Sequence, residues 1–165
     1  MEFPNLTTDR LFLRELREDD AEEIFRLRSD PNVNELIGRK PAVTLDDARE
    51  FIKRIHANSA TREGLMWVIT LPGNPKLIGT VVYWPIEWEN NKAEIGYEML
   101  PEFRGNGFMQ EALQKVIDFG FEELKFKTIV ADTKEQNLKS IKLLEKLGFS
   151  FTSKNGEYLL YSLCD

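Results

Sequence analysis

Cysteine and histidine are nearly missing from this chain: its 165 residues include one of each, Cys164 and His56. A single cysteine cannot form an internal disulfide framework, so a reducing compartment is expected. One histidine and one cysteine cannot build the usual His or Cys/His zinc centres, and no metal is expected. An excess of positive charge is also missing. With 22 Lys and Arg against 28 Asp and Glu, the net charge is −6. That balance argues against nucleic acid as the main partner, because phosphate backbones are bound by clustered Lys and Arg. It suits a cationic partner, such as an amine or a basic peptide. No apolar run approaches the ~20 residues needed to cross a membrane. The opening MEFPNLTTDR has neither the basic nor the apolar region of a signal peptide. The expectation is a cytoplasmic protein with no membrane partner, monomeric or homodimeric.

What is present is ordinary for a globular protein: 42% hydrophobic and 30% charged residues, enough for one core at this length. Residues 1–165 therefore read as a single domain. DRLFLREL at 9–16 alternates like a strand. Ala21, Ile24, Phe25 and Arg28 have helical spacing, and Pro31 stops that helix. Residues 31–43 read as a loop or broken helix. Thr44 and Asp47 resemble a capping box for a helix that carries Ala48, Phe51, Ile52 and Ile55. Strands are expected at 65–71, 77–84 and 93–100. PGNP at 72–75 turns the first into the second, and Pro85 is expected to end pairing of the second. A helix from 107, a strand at 127–132, a helix at 137–147 and strands at 149–153 and 157–163 complete the chain. The order β-α-α-β-β-β-α-β-α-β-β gives an α/β fold: one mixed, mostly antiparallel sheet with helices on both faces. Its one parallel pair is joined by a right-handed crossover.

The segment PEFRGNGFMQEA at 101–112 places Arg104, Gly105, Asn106 and Gly107 directly before a helix. The first N–H groups of a helix have no internal partner, and that end carries partial positive charge. Two glycines let the backbone come close to a ligand, so a phosphate or pyrophosphate suits the site, with Arg104 adding a fixed charge. The plain alternative is an ordinary Gly-Asn-Gly turn. A dinucleotide fingerprint is not met, since Gln110 stands where its third glycine belongs, and no Gly-Lys-Ser/Thr of a P-loop occurs.

Arg104 to Met109 resembles the acetyl-CoA loop Q/R-x-x-G-x-G/A of the GNAT superfamily of N-acetyltransferases; Arg104 and Gly107 fit, and Met109 departs at the last position. NLKSIKLLEKLGF at 137–149 is similar to a second block of that superfamily, with Asn137, Ser140, Lys146, Gly148 and Phe149 matching. TTDRLFLRELREDDAEEIF and AEIGYEMLPEFRGNGFMQEA resemble the branch that acetylates the N-terminal residue of ribosomal proteins. The resemblance covers nearly the whole chain. It implies acetyl-CoA as cosubstrate. The N–H groups of Gly105, Asn106, Gly107, Phe108 and Met109 would hold the pyrophosphate, with Arg104 beside it. Met99 and Leu100 would pair with the pantetheine arm in a gap beside strand 127–132, and Asn137 would bond to that arm.

The chemistry this implies is acetyl transfer to a primary amine. At pH 7 an α-amino group costs roughly 1 kcal/mol to deprotonate and a lysine roughly 4.6 kcal/mol, so an N-terminal amine needs only a modest base. Glu94 and Glu98 share one strand face; Glu98, nearer the cofactor end, is the preferred base, against the plain alternative of two solvated glutamates. The tyrosine that often protonates the leaving sulfur in this superfamily is replaced by Leu144. Ser140, one turn earlier, could donate instead, or simply bond within its own helix. His56 reads as a packed histidine. Trp67, Tyr83, Trp84 and Trp88 read mainly as core or sheet cover, and those near Pro85 could wall the acceptor pocket. Residues 31–43 read as its lid. The expected acceptor is a protein N-terminus. Alternatives are a polyamine, an amino acid or an antibiotic, or a non-catalytic CoA-binding sensor.

Overall fold

The computed structural model describes residues 2–37 and 39–165, with the side chains of residues 36 and 37 outside that description. The eight strands are β1 (Leu6–Thr7), β2 (Phe12–Glu15), β3 (Leu65–Leu71), β4 (Asn74–Glu87), β5 (Lys92–Met99), β6 (Thr128–Lys134), β7 (Ser150–Asn155) and β8 (Tyr158–Cys164). They form one sheet in the order β1-β2-β3-β4-β5-β6-β8-β7. The helices are α1 (Ala21–Ser29), α2 (Pro31–Ile37), α3 (Leu45–Ala60), α4 (Phe108–Glu122) and α5 (Leu138–Lys146). Among the described residues only β5 and β6 pair in parallel, across the α4 crossover.

Helices cover both faces of the sheet. On one face Leu113, Val116 and Ile117 of α4 and Leu144 of α5 pack on Trp67, Val81 and Ile95. On the other, Ile24 and Leu27 of α1 and Ala48 and Ile52 of α3 pack on Met66 and Val68. Each fully buried aliphatic or aromatic side chain in these layers contributes about 1.5–3 kcal/mol. The expected capping box of α3 is formed: the Asp47 N–H donates to Thr44 Oγ1 at 3.2 Å, and Asp47 Oδ2 accepts from the Thr44 N–H at 3.0 Å.

Three local expectations change. The strand expected over 9–16 is confined to β2, and β1 is an additional strand before it, because Thr8 turns the chain by donating its N–H to the Leu11 carbonyl. Residues 31–37 form α2; Gly38, in the same expected loop, lies outside the described residues. The β4 strand passes through Pro85. Pairing with β5 shifts register between Tyr83 and Ile86, then resumes at Ile86 and Glu87. Proline lacks the ladder N–H, and the irregularity absorbs it.

Candidate functional site

Parallel pairing of β5 with β6 is limited to Lys92, Ala93 and Glu94 against Thr128, Ile129 and Val130. Both strands continue, β5 to Met99 and β6 to Lys134. They therefore separate into a gap that opens on both faces of the sheet. A cavity of about 660 Å³ runs through it, a size suited to a small-molecule site. Leu100 donates its N–H to the Ile78 carbonyl of β4 at 2.9 Å, on the side away from the gap, and Arg104 Nε donates to the Met99 carbonyl at 3.0 Å. The unpaired edge of β5 thus lies over residues 95–98, just before the Met99–Leu100 pair singled out in the sequence.

The loop that follows begins α4. Gly105 and Gly107 have φ of +79° and +77°, in the left-handed region that glycine adopts without strain. A side chain at Gly105 would meet nothing within 4 Å, so this backbone is open. Gly107 occupies the N-cap position, and no side chain caps the helix. Among the described residues the N–H groups of 105–110 have no acceptor. Six adjacent donors at the positive end of a helix fit a pyrophosphate. The bond to Met99 fixes Arg104 next to them. Arg10 of the β1–β2 turn braces the loop. Its Nη1 donates to the Asn106 carbonyl at 2.9 Å, its Nε donates to Glu111 Oε2 at 2.7 Å, and its guanidinium lies 4.7 Å from the Phe108 ring centroid.

On the α4–α5 side of the gap, two hydroxyls meet. Tyr97 Oη and Ser140 Oγ are 2.6 Å apart. Ser140 thus finds its partner across the site and not in its own helix. Burial raises the Tyr97 pKa, and the bond to Ser140 partly offsets this, so the phenol keeps its proton at neutral pH. Asn137 caps α5 through Oδ1, which accepts the Ser140 N–H at 3.3 Å. Its Nδ2 has no acceptor among the described residues and is available to a ligand. Leu144, where a tyrosine might have stood, is buried in the core.

The α1–α3 side carries the charge. Ala93, Ile95 and Met99 point into the α4–α5 core, so Glu94 and Glu98 face the other way, as alternation requires. Asp132 of β6 joins them in the cavity. Glu98 is held by Arg39, whose Nη1 donates to Oε2 at 2.9 Å and whose Nη2 lies 2.7 Å from Oε1. Oε1 is buried without a well-aligned hydrogen bond of its own despite that contact. Arg39 also donates from Nε to Asn34 Oδ1, tying the segment after α2 to the site. Glu94 makes no ion pair among the described residues. Burial raises its pKa first, the nearby Asp132 raises it further, and Lys92 partly opposes. Arg28 and Arg54 lie 3.9 and 5.4 Å from the centroid of the Phe51 ring. Burial, then the neighbouring Arg39, brings Arg28 down to about 10.

The gap therefore gathers Glu94, Glu98, Asn137 and Ser140 around one cavity, with Arg104 to Met109 as an open loop at the end of β5. Trp84 is on the cavity wall. His56 bonds through Nε2 to the Leu16 carbonyl at 2.8 Å, away from it. Tyr97, Arg10, Arg28 and Arg54 were missed by the sequence reading. A lone tyrosine on a strand and single arginines on amphipathic helices read as core or solvated positions until the topology brings them together.

Residues 10–150 match the acetyltransferase (GNAT) domain family. The chain is 36% identical over 147 residues to the uncharacterized N-acetyltransferase YoaA of Bacillus subtilis, covering 89% of this chain and 83% of that protein. Its fold is similar to a spermidine N-acetyltransferase from Vibrio cholerae solved with CoA and spermine: TM-score 0.84, 22% identity, 95% of this chain and 96% of that one. It is also similar to a ribosomal-protein-S5-alanine acetyltransferase from Vibrio fischeri: TM-score 0.81, 22% identity, 98% and 96% covered. With the family match spanning most of its length, this chain belongs to the GNAT acetyltransferases and is an acetyl-CoA-dependent N-acetyltransferase.

Proposed function

We propose that residues 1–165 act as one acetyltransferase unit that moves an acetyl group directly onto the α-amino group of a protein N-terminus. The observation that carries this reading is the gap between β5 and β6, with a hydroxyl pair on one side and carboxylates on the other. The open N–H groups of 105–110, with Arg104 beside them, would hold the diphosphate of acetyl-CoA. The edge of β5 up to Met99 and Leu100, together with Asn137, would hold its pantetheine arm. Bound there, acetyl-CoA supplies the acetyl group as a thioester.

The chain's own residues then have separable tasks. Glu94, free of ion pairs and with a raised pKa, takes the proton of the incoming ammonium. Raising a carboxylate's pKa toward that of its donor improves it as a base. Glu98, gripped by Arg39, presents Oε1 to the amine and fixes its approach; it is the less free of the two carboxylates. As the C–S bond breaks, Tyr97 gives its proton to the departing thiolate, and Ser140 relays to the phenolate the second proton, which the nitrogen loses on becoming an amide. The α-amino reading is supported by the modest demand such an amine places on a base. A polyamine is disfavoured, because its further cationic centres would meet Arg28 and Arg54. The lone cysteine and the acetyl-CoA requirement go with a cytoplasmic location.

The test is free-thiol release from acetyl-CoA with N-terminal peptides, spermidine and a lysine side-chain amine. Peptides are expected to release thiol fastest. Release with spermidine and with no peptide would overturn the N-terminal assignment. Tight CoA binding with no release by any amine would mean a sensor.

A further inference from the structure

The charges lining the cavity do not cancel one another in place. Four cations, Arg28, Arg39, Arg54 and Lys134, and three anions, Glu94, Glu98 and Asp132, line it. Arg39 is satisfied by Glu98. Lys134 is satisfied by the Glu35 carbonyl at 2.7 Å and by Glu157 at 3.2 Å. Two guanidiniums and two carboxylates remain, and no hydrogen bond or ion pair joins them to each other or to any other described residue. The carboxylates rise from the floor of the sheet on β5 and β6. The guanidiniums descend from α1 and α3 and share the Phe51 ring. An arginine over an aromatic ring keeps its edge nitrogens free, and that planar fork matches a carboxylate or a phosphate.

A substrate that brought only an ammonium would satisfy Glu94 and Asp132 and leave the half-buried Arg28 and the exposed Arg54 without an anion. A substrate with a second positive charge would be repelled by them. A substrate that brings both signs satisfies both pairs at once. Resting on the acetyl-transfer reading, we propose that the acceptor carries an anionic group, carboxylate or phosphate, close to its reacting amine. Arg28 and Arg54 take the anion, while Glu94 and Asp132 take the ammonium. This goes against the chain's overall charge of −6, which would favour a basic acceptor. Specificity is set by the few side chains in the cavity, and long-range net charge mainly affects encounter.

The experiment uses the full chain and acetyl-CoA with alanine-started peptides carrying glutamate, phosphoserine, glutamine or lysine at the second position. Free glutamate and spermidine are run beside them. Acidic and phosphorylated acceptors are expected to exceed the glutamine peptide in kcat/KM by about tenfold or more, as for a charge-assisted bond gained or lost. The lysine peptide should be slowest. Calorimetry without acetyl-CoA should show the same order in binding alone. Arg28→Met should collapse the acidic-to-neutral ratio toward one. Arg54→Met, at an exposed position, should lower it without risk to the fold, and CoA titration checks that both variants are folded. Equal kcat/KM for acidic and neutral peptides, or preference for lysine or spermidine, overturns the inference and leaves acetyl transfer standing. Turnover of free glutamate and of no peptide supports it while overturning the protein N-terminus as acceptor.

Discussion

Among the described residues, two arginine–carboxylate pairs are enclosed on both sides, and they differ in what surrounds them. Arg14 and Asp20 lie under the β2–α1 corner with side chains only 5% exposed. Arg14 donates to both Asp20 oxygens at 2.9 and 2.8 Å and to the Glu15 and Pro75 carbonyls; Asp20 also accepts the Arg17 N–H. Arg39 and Glu98 are nearly as enclosed, at 15% and 16%, but they stand among Arg28, Arg54, Glu94 and Asp132, which have no partners. The first pair is all but closed on itself, with Arg14 Nε its one buried polar atom left without a partner among the described residues, and it holds a corner of the scaffold. The second belongs to that group of cavity charges, whose other members make no side-chain ion pair among the described residues. Saturation, more than burial, separates a structural charge from a functional one.

The contrast breaks most visibly by removing one charge from each place. Asp20→Ala leaves a buried guanidinium alone and should cost about 3–5 kcal/mol, a Tm drop of roughly 10 °C for a chain of this size. CoA affinity of the folded fraction should be unchanged. A Tm within a degree of the parent would mean that the closed pair contributes nothing.

Glu94→Gln should behave in the opposite way. Burial and Asp132 raise the Glu94 pKa, so the fold favours its neutral form. That contribution is present below the ordinary carboxylate range and is lost as pH rises through the raised value. At neutral pH the charged group is a net cost, and Gln removes it, so Tm should rise slightly. Activity needs the charged form. The acid limb of kcat/KM should therefore lie above the usual carboxylate range in the parent and disappear in Glu94→Gln, with a loss of about a hundredfold. A falling Tm, or a surviving acid limb, would return the base assignment to Glu98, the residue that the sequence reading preferred.

The scaffold was largely legible because its signals are local. Thr44 and Asp47 cap α3 from adjacent positions, and Leu113, Val116 and Ile117 mark the buried stripe of α4 by spacing alone. The loop was legible for the same reason, since Arg104, Gly105 and Gly107 lie together in the chain. The charged side of the cavity was legible only in part: strand alternation put Glu94 and Glu98 on one face, but Arg28, Phe51 and Asp132 come from three other elements spread over a hundred residues, and each is unremarkable on its own segment. Tyr97 shows the same limit. Its hydroxyl matters only because Ser140, 43 residues on, ends 2.6 Å away. Net charge sums the surface and says nothing of what converges inside. The missed passage through Pro85 has a different cause: proline rules forbid a regular ladder, and here the ladder is irregular.

The smallest expected effect also asks the finest question, whether Tyr97 and Ser140 act as one unit. If the phenol donates to the departing sulfur and the serine supplies the replacement proton, either substitution breaks the same relay. Tyr97→Phe and Ser140→Ala should then each lower kcat by about tenfold, roughly 1.4 kcal/mol, and the double variant should lose little more, because coupled groups do not add. CoA affinity should hold in all three, since neither hydroxyl is assigned to the diphosphate or the pantetheine arm. Losses that multiply would make them two independent donors. A full-rate Ser140→Ala beside a slow Tyr97→Phe would reduce the serine to a support for the phenol. Full rate in Tyr97→Phe would remove the phenol from the transfer, leaving its 2.6 Å contact as packing, comparable to the closed pair under the β2–α1 corner.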